Sequence, residues 1–285
     1  MTLADDRTAV ERHFRLGHQV AAEPYTSALE FLRALDPMDQ RWTPATARAC
    51  RWVFRGQADA RWGLTPSAWR GAGKSANRLT AARGRVVARR GDLPHAWEWQ
   101  DLAERELLRD FLDVVAREGL PLPPDMPAVG GDPHPVSEFG ALAQHYGVPT
   151  RLLDFTRDPY VGAFWALPEG VHAEDGALAV WAVREGKWQP GAELVAYAKD
   201  RNRNLLAQDG VVVHMTMADH FIGAEGRLPA LEECKAIGED DIVKLTLPWS
   251  KAGEMRRLLE VRGVTRARLM PGYASAATTS LARLT

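Results

Sequence analysis

The residues equipped for chemistry are concentrated between Glu138 and Leu167. Gln144 and His145 are followed by Arg151, Asp154 and Thr156, a polar string set among Phe139, Leu142, Leu152, Leu153, Phe155 and Phe164. An imidazole, a cation and an acid held against apolar neighbours acquire shifted proton affinities, which is how protein sites obtain acids and bases that work near neutral pH. The same residues admit a plainer reading, an Arg151–Asp154 ion pair that only fixes a loop. A second segment, Arg51 to Gln57 (RWVFRGQ), sets Arg55 where an apolar strand meets a glycine. A guanidinium there can grip a phosphate or carboxylate through its forked donors, and Gly56 would let a ligand approach the backbone. The alternative is an edge-strand arginine in solvent. Arg70 either joins Arg55 or lies on the surface. In a third segment Gln208 and Asp209 precede Gly210 and can aim an amide and a carboxylate into a cleft, with the glycine marking a bulge or a close backbone approach.

These side chains need elements to hold them. Phe139, Leu142, Ala143 and Tyr146 recur at helical spacing, and Gly147 with Pro149 ends that helix. Residues 150–156 then run extended. Asp158 as N-cap and Pro159 at the first helical position start a second, largely apolar helix, whose N-terminus near residue 158 would attract anions. Upstream, Thr26 is expected to cap a helix from Ser27 to Leu35. Trp97 to Glu118 forms an amphipathic helix with Glu104, Arg105 and Asp110 facing outward; Glu106, between leucines, is expected to turn in and pair with Arg55 or Arg70. Residues 71–95 are basic and rich in glycine and alanine. They read as a flap or loop insertion with a short helix, able to contact nucleic-acid phosphates. Residues 119–136 hold six prolines and read as a loop. Strands are expected at Gly176–Val183, Leu205–Met215, Asp240–Leu247 and Thr265–Met270, a helix at Lys251–Arg262, and a surface tail from Pro271. Helices and strands interleave without regular alternation. The expected fold is therefore a single mixed α+β domain with a curved, mostly antiparallel sheet flanked by helices. It spans residues 25–275, between a polar segment (1–24) and a C-terminal tail (276–285).

The 285 residues carry a formal net charge of −1, so no global field draws the chain to nucleic acid or membrane. Two cysteines far apart suggest neither a disulfide framework nor a cysteine-rich metal site. The first residues are charged and lack an apolar core, and no apolar run of about 18 residues exists. The expectation is a cytoplasmic protein without a membrane span or a bound metal.

Several of these motifs together resemble one known family. Phe54-Arg55-Gly56-Gln57 is similar to the motif that gives the FRG domain its name. The likeness continues through Pro66, Arg70, Glu106-Leu107-Leu108 and Phe111 to Gln144-His145-Tyr146-Gly147-Val148-Pro149-Thr150-Arg151-Leu152-Leu153-Asp154-Phe155-Thr156, and resumes at Gln208, Gly210, Gly263 and Pro271. The resemblance implies an effector of a bacterial toxin or phage-defence system, acting on a protein or nucleic acid and accompanied by an antitoxin or partner protein. The Phe-Arg-Gly strand also resembles the first motif of arginine-type ADP-ribosyltransferases, which implies NAD as a substrate and an ADP-ribosyltransferase-like fold. On that analogy Arg55, Gly56, Gln57, Arg70, Tyr146 and Thr150 would hold the dinucleotide, and His145, Arg151, Asp154 and Gln208 would form the catalytic set. Such transferases carry a glutamate near a third motif, where this chain reads Gln208-Asp209-Gly210. Either Asp209 substitutes, or the chemistry differs, or there is none. The competing readings are a metal-independent nuclease or phosphoryl-transfer enzyme using His145, Arg151 and Asp154, and a non-catalytic binding module. The transferase reading predicts that Arg55, Arg151, Asp154 and Gln208 converge on one cleft.

Overall fold

A computed structural model describes residues 3–43, 51–70, 74–91, 96–122, 133–168, 175–195, 197 and 203–281. Its centre is an open seven-stranded sheet of β1 (Ala22–Pro24), β2 (Trp52–Gln57), β3 (Leu152–Thr156), β4 (Ala177–Arg184), β5 (Glu193–Val195), β6 (Gly210–His214) and β7 (Ile242–Pro248). The spatial order is β1-β7-β4-β2-β3-β6-β5. The β1–β7 pair is parallel and the other pairs are antiparallel, so the fold is α+β with a mostly antiparallel sheet, as the interleaved pattern implied. β4 is apolar without alternation because both of its faces are covered. On one face Val53, Leu153, Phe155, Trp181 and Val213 pack with Phe14 and Phe221; on the other Phe54, Val180, Leu245 and Leu247 pack with Phe31, Phe164 and Leu259.

The helices that cover the sheet include α1 (Leu3–His13), α2 (Ala28–Ala34), α3 (Lys74–Arg90), α4 (Ala96–Arg117), α5 (Glu138–His145), α6 (Pro159–Ala166), α7 (Arg203–Ala207), α8 (Ala218–Glu225), α9 (Ala252–Val261), α10 (Arg266–Leu269) and α11 (Tyr273–Leu281). Among the described residues, no helix is long and apolar enough to cross a membrane. Several elements differ from expectation. The N-terminal residues are not peripheral: Phe14 is buried in the core and β1 is a strand of the sheet. Ser27, not Thr26, caps α2. The basic segment is a helix of 17 residues, because Leu79, Ala82 and Val86 supply an apolar stripe. Residues 203–207 are helical before β6 begins, and Gly210 lies tight against the Leu205 side chain. Thr265–Met270 is not a strand: Thr265 accepts from the Arg268 N–H and caps the short helix α10. The expected tail contains α11. Most of the proline-rich loop, residues 123–132, lies outside the described residues.

One joint in the sheet is thin. β2 pairs with β4 at every position from Trp52 to Gln57, and β3 pairs with β6 along its whole length, yet β2 and β3 meet only at Phe54 and Thr156. Continuing that register would set Gly56 opposite Asp154. Instead the Arg55 guanidinium donates from Nη1 to the Asp154 carbonyl at 2.6 Å, so a side chain occupies a backbone acceptor of β3. Helix α6 lies directly over this joint. A Cβ on Gly56 would stand 2.1 Å from the Gly162 carbonyl oxygen and 2.3 Å from the Ala166 nitrogen. A Cβ on Gly162 would stand 2.9 Å from the Phe54 Cβ. The Phe-Arg-Gly glycine thus admits a helix to the strand.

Gly56→Ala should therefore destabilise the fold by about 1–3 kcal/mol through overpacking against backbone. Gly84→Ala, in the middle of α3 with open space around its Cα, should be neutral or gain about 0.5–1 kcal/mol. Urea denaturation of the two variants checks the contrast.

Candidate functional site

A cavity of about 360 Å³ opens where β2 and β3 part. Phe54, Arg55 and Gly56 border it from β2, and Asp154, Phe155 and Thr156 from β3. Gln144 and His145 enter from the end of α5, Gly162 and Trp165 from the side of α6. Gln208, Arg266 and Met270 close it from the segment around α7 and from α10.

Local rules place each wall. Ser137 caps α5 by accepting from the Gly140 N–H at 3.0 Å, and Gly147, at φ +82°, ends it, so Gln144 and His145 sit on the last turn. Asp158 caps α6, accepting from the N–H groups of Tyr160 (2.9 Å) and Val161 (3.3 Å). The α6 N-terminus is thus satisfied by its own carboxylate, and the cavity borders α6 further along, at Gly162 and Trp165. The Thr150 hydroxyl donates to Gln144 Oε1 at 2.5 Å, which orients the amide so that its nitrogen can serve Asp154. Gln208 is anchored twice: its Nε2 donates to the Leu269 carbonyl at 3.0 Å, and its main-chain carbonyl accepts from Thr156 at 2.5 Å. It ties α10 to the end of β3.

Burial dominates the electrostatics. It lowers the Arg55 pKa to about 10, against the attraction of Asp154 and with the help of repulsion from Arg70. It raises that of Asp154, against Arg55, the Gln144 hydrogen bond and His145. Asp154 is nonetheless exposed where its side chain faces the cavity, so water reaches the carboxylate there. Burial also lowers the His145 pKa, opposed by Asp154. The imidazole is therefore neutral at ordinary pH. Three residues that line this cavity each carry a buried nitrogen with no hydrogen-bond partner among the described residues: Arg55 Nε, His145 Nε2 and Trp165 Nε1. Buried polar atoms are almost always paired, so three orphans in one cavity mark it as a place built for a polar ligand.

Of the residues expected at a site, Arg55, Gly56, His145, Asp154 and Gln208 line this cavity together. Arg151 does not. It immediately precedes β3, three residues from Asp154, and in an extended chain that odd spacing points the two side chains to opposite faces. Its Nε donates to Glu104 at 2.6 Å and an Nη to Asp101 at 2.9 Å. Glu104, expected outside, is buried and also accepts from the Trp69 indole at 2.9 Å and from Gln100 at 2.7 Å. Glu106 is paired with Arg85, Arg89 and Arg109, away from Arg55 and Arg70. Gln57 is buried and held at both ends, by the Trp181 indole and the Gly63 carbonyl. Thr150 stands one bond back, behind Gln144, and Tyr146 is 66% exposed and off the cavity. Arg70 borders a different hollow, beneath Trp62. Asp209 holds a left-handed φ of 44° and does not line the cavity. Trp165, Arg266 and Met270 were missed. Trp165 read as core, and the other two belong to the segment taken for a strand.

Residues 50–175 match the family model of the FRG domain. Over that span the chain is similar to the FRG domain. The matched span runs from β2 through α6 and includes both sides of the joint, with Arg55, His145 and Asp154. Gln208, Arg266 and Met270, which close the cavity, lie beyond it. No curated protein and no solved structure matches the chain.

Two acids separate cleft from scaffold. Asp154 holds its proton to higher pH in the fold than in the unfolded chain. The stability conferred by its neutral form is present below the unfolded value of about 3.9 and is lost as pH rises through the raised folded value. At pH 7 the ionised group is thus a net cost, and Asp154→Asn should melt at or above the wild-type temperature. Glu104→Ala strands a buried cation and two donors and should lose about 3–5 kcal/mol. Thermal melts of both variants at pH 7 test this, and Asp154→Asn melting well below wild type would contradict it.

Proposed function

We propose that the cleft binds NAD and transfers ADP-ribose from it to a macromolecular acceptor. The observation that supports this best is the company of the three unpartnered nitrogens: a desolvated arginine, a neutral imidazole and an indole, around one cavity carboxylate. Arg55 and Arg266 offer cationic donors for a diphosphate, with Arg55 the stronger candidate because it is desolvated. Trp165 offers an apolar face for a planar ring. When the C1′–N bond of NAD breaks, the bonding pair leaves with the pyridinium nitrogen, giving neutral nicotinamide and positive charge on the ribose. Asp154 is the sole acid among the described residues lining the cavity, and its carboxylate can stabilise that charge. The acceptor then attacks C1′ and its proton passes to His145, which is neutral and so able to take it. In this reading Asp154 does the work that a glutamate near the third motif does in other transferases. The setting it supports is a cytoplasmic effector of toxin or phage-defence type, with a partner protein to restrain it.

A second reading, a metal-independent nuclease or phosphoryl-transfer enzyme, draws on His145 and Asp154 lining one cavity near enough for their charges to act on each other, and on the lack of a glutamate among the described lining residues. The two readings separate cleanly. Purified protein incubated with NAD and cell extract should release nicotinamide. Arg55→Lys and Asp154→Asn should each lower kcat/KM by about 10²–10³, the scale of a lost transition-state contact. Cleavage of RNA without NAD, and no nicotinamide release, would favour the second.

The pH profile follows from the two shifts. Transfer needs both His145 and Asp154 deprotonated, so the rate should fall on the acid side, with the raised Asp154 pKa carrying that limb above the range of an ordinary carboxylate. A rate that rose on acidification would show that one of these groups works as an acid instead.

A further inference from the structure

The basic segment that the cleft does not use forms one wall of a second and larger hollow, of about 940 Å³. Lys74, Thr80 and Arg83 of α3 form one side, Arg227 and the end of α8 the other, and Trp62, Trp69 and Arg70 line it between them. Among the described residues, five cations border this groove and no acid does, in a chain whose net charge is −1. The cations fall into two groups. Arg61 is paired with Asp59 at 2.6 Å and Arg227 with Glu233 at 2.6 Å. Arg70, Lys74 and Arg83 have no ion pair among the described residues.

Helix α3 sorts its own charges in the same way. Arg85 and Arg89, on the side of α4, are neutralised by Glu106 and Asp110, while Lys74 and Arg83 are turned to the groove without a carboxylate. A helix that needed basic residues only for solubility would have no reason to keep acids away from one side. Arg70 is well buried, and its guanidinium lies 5.8 Å from the Trp62 ring centre. Trp62 is 47% exposed, an unusual position for a large ring, and lines the groove.

We propose that this groove binds single-stranded nucleic acid, with Lys74, Arg83 and Arg70 on the phosphates and a base stacked on Trp62. Unpaired cations spaced along a channel, with an exposed aromatic beside them, are what a flexible polyanion with flat bases requires. An acidic protein would use the charges but gain nothing from the indole. A duplex would bury its bases away from it. The groove also adjoins the cleft: Arg70 lines the groove, and its charge bears on Arg55. If the NAD reading holds, the bound strand is the acceptor. Its amine or hydroxyl attacks C1′, nicotinamide leaves with the bonding electron pair, and the displaced proton goes to His145. The binding itself does not rest on that reading.

The test is fluorescence anisotropy of a labelled 20-nucleotide RNA with the full chain and no NAD, against the same sequence as a duplex and against polyglutamate. The single strand should bind tightest, and its affinity should fall about twentyfold between about 50 and 200 mM salt, as roughly three phosphate contacts require. Lys74→Glu/Arg83→Glu should weaken binding at least tenfold. Trp62→Ala should weaken it about tenfold for RNA and not for polyglutamate. Melting curves for each variant confirm that it is folded. No binding at low salt overturns the proposal. So does binding to polyglutamate as tight as to RNA with Trp62→Ala without effect, which would make the occupant an acidic protein. RNA binding without nicotinamide release leaves the groove standing and removes the NAD reading; nicotinamide release to water that survives Lys74→Glu/Arg83→Glu, with no RNA bound, does the reverse.

Discussion

The hydrogen bond from the Arg55 guanidinium to the Asp154 carbonyl spans the one place where the sheet almost comes apart. A continuous ladder between β2 and β3 would satisfy both edges with backbone alone and leave no room. Here a single backbone pair holds the two halves, a charged side chain bridges the rest, and the opening becomes a cleft. The bridge sets the chemistry as well as the shape. It draws a guanidinium into a poorly solvated position next to a carboxylate, keeps one of its nitrogens in hand, and fixes where Asp154 can stand. Helix α6 can lie across so thin a joint because Gly56 and Gly162 remove the side chains that would keep it away.

The protein separates two kinds of buried charge. Around Glu104 the carboxylate is surrounded by donors, and every neighbour serves the packing of α4 against β3. Around Asp154 the balance is left incomplete: burial outweighs the favourable partners, and adjacent nitrogens have none. The first arrangement is what a scaffold needs. The second costs stability in the resting protein and is kept where function compensates for it. The same contrast recurs on α3, where arginines toward α4 are neutralised and those toward the groove are not.

Much of this was legible in the sequence where local rules decide. Asp158-Pro159 and Gly147 mark helix ends through capping and φ alone, and they fixed α5 and α6 to within a residue. That in turn set His145 and Asp154 close together. The placement of Arg151 could have been read too, since an odd spacing along an extended chain separates two side chains; the attraction of an ion pair obscured it. Other features depend on packing that no local pattern carries. Glu104 and Glu106 are both buried because α4 is covered on two sides, by Trp69 with Arg151 and by α3. Helix α3 was hidden by its glycine and arginine content, although Leu79, Ala82 and Val86 keep a helical spacing. The short α10 rests on a threonine cap and on the Gln208 amide, a contact across 61 residues, so Val264 and Thr265 suggested a strand.

The account stands or falls on whether the unpartnered nitrogens at the joint meet a nucleotide. The most direct measurement is a titration of isotope-labelled protein with ADP-ribose, following the Arg55 Nε–H, the Trp165 indole and the His145 ring by NMR. The account predicts that all three signals move together and saturate, while the Arg151 guanidinium, held by Glu104 and Asp101, stays where it was. Saturable binding that left those three signals unmoved, or no binding at all, would contradict it.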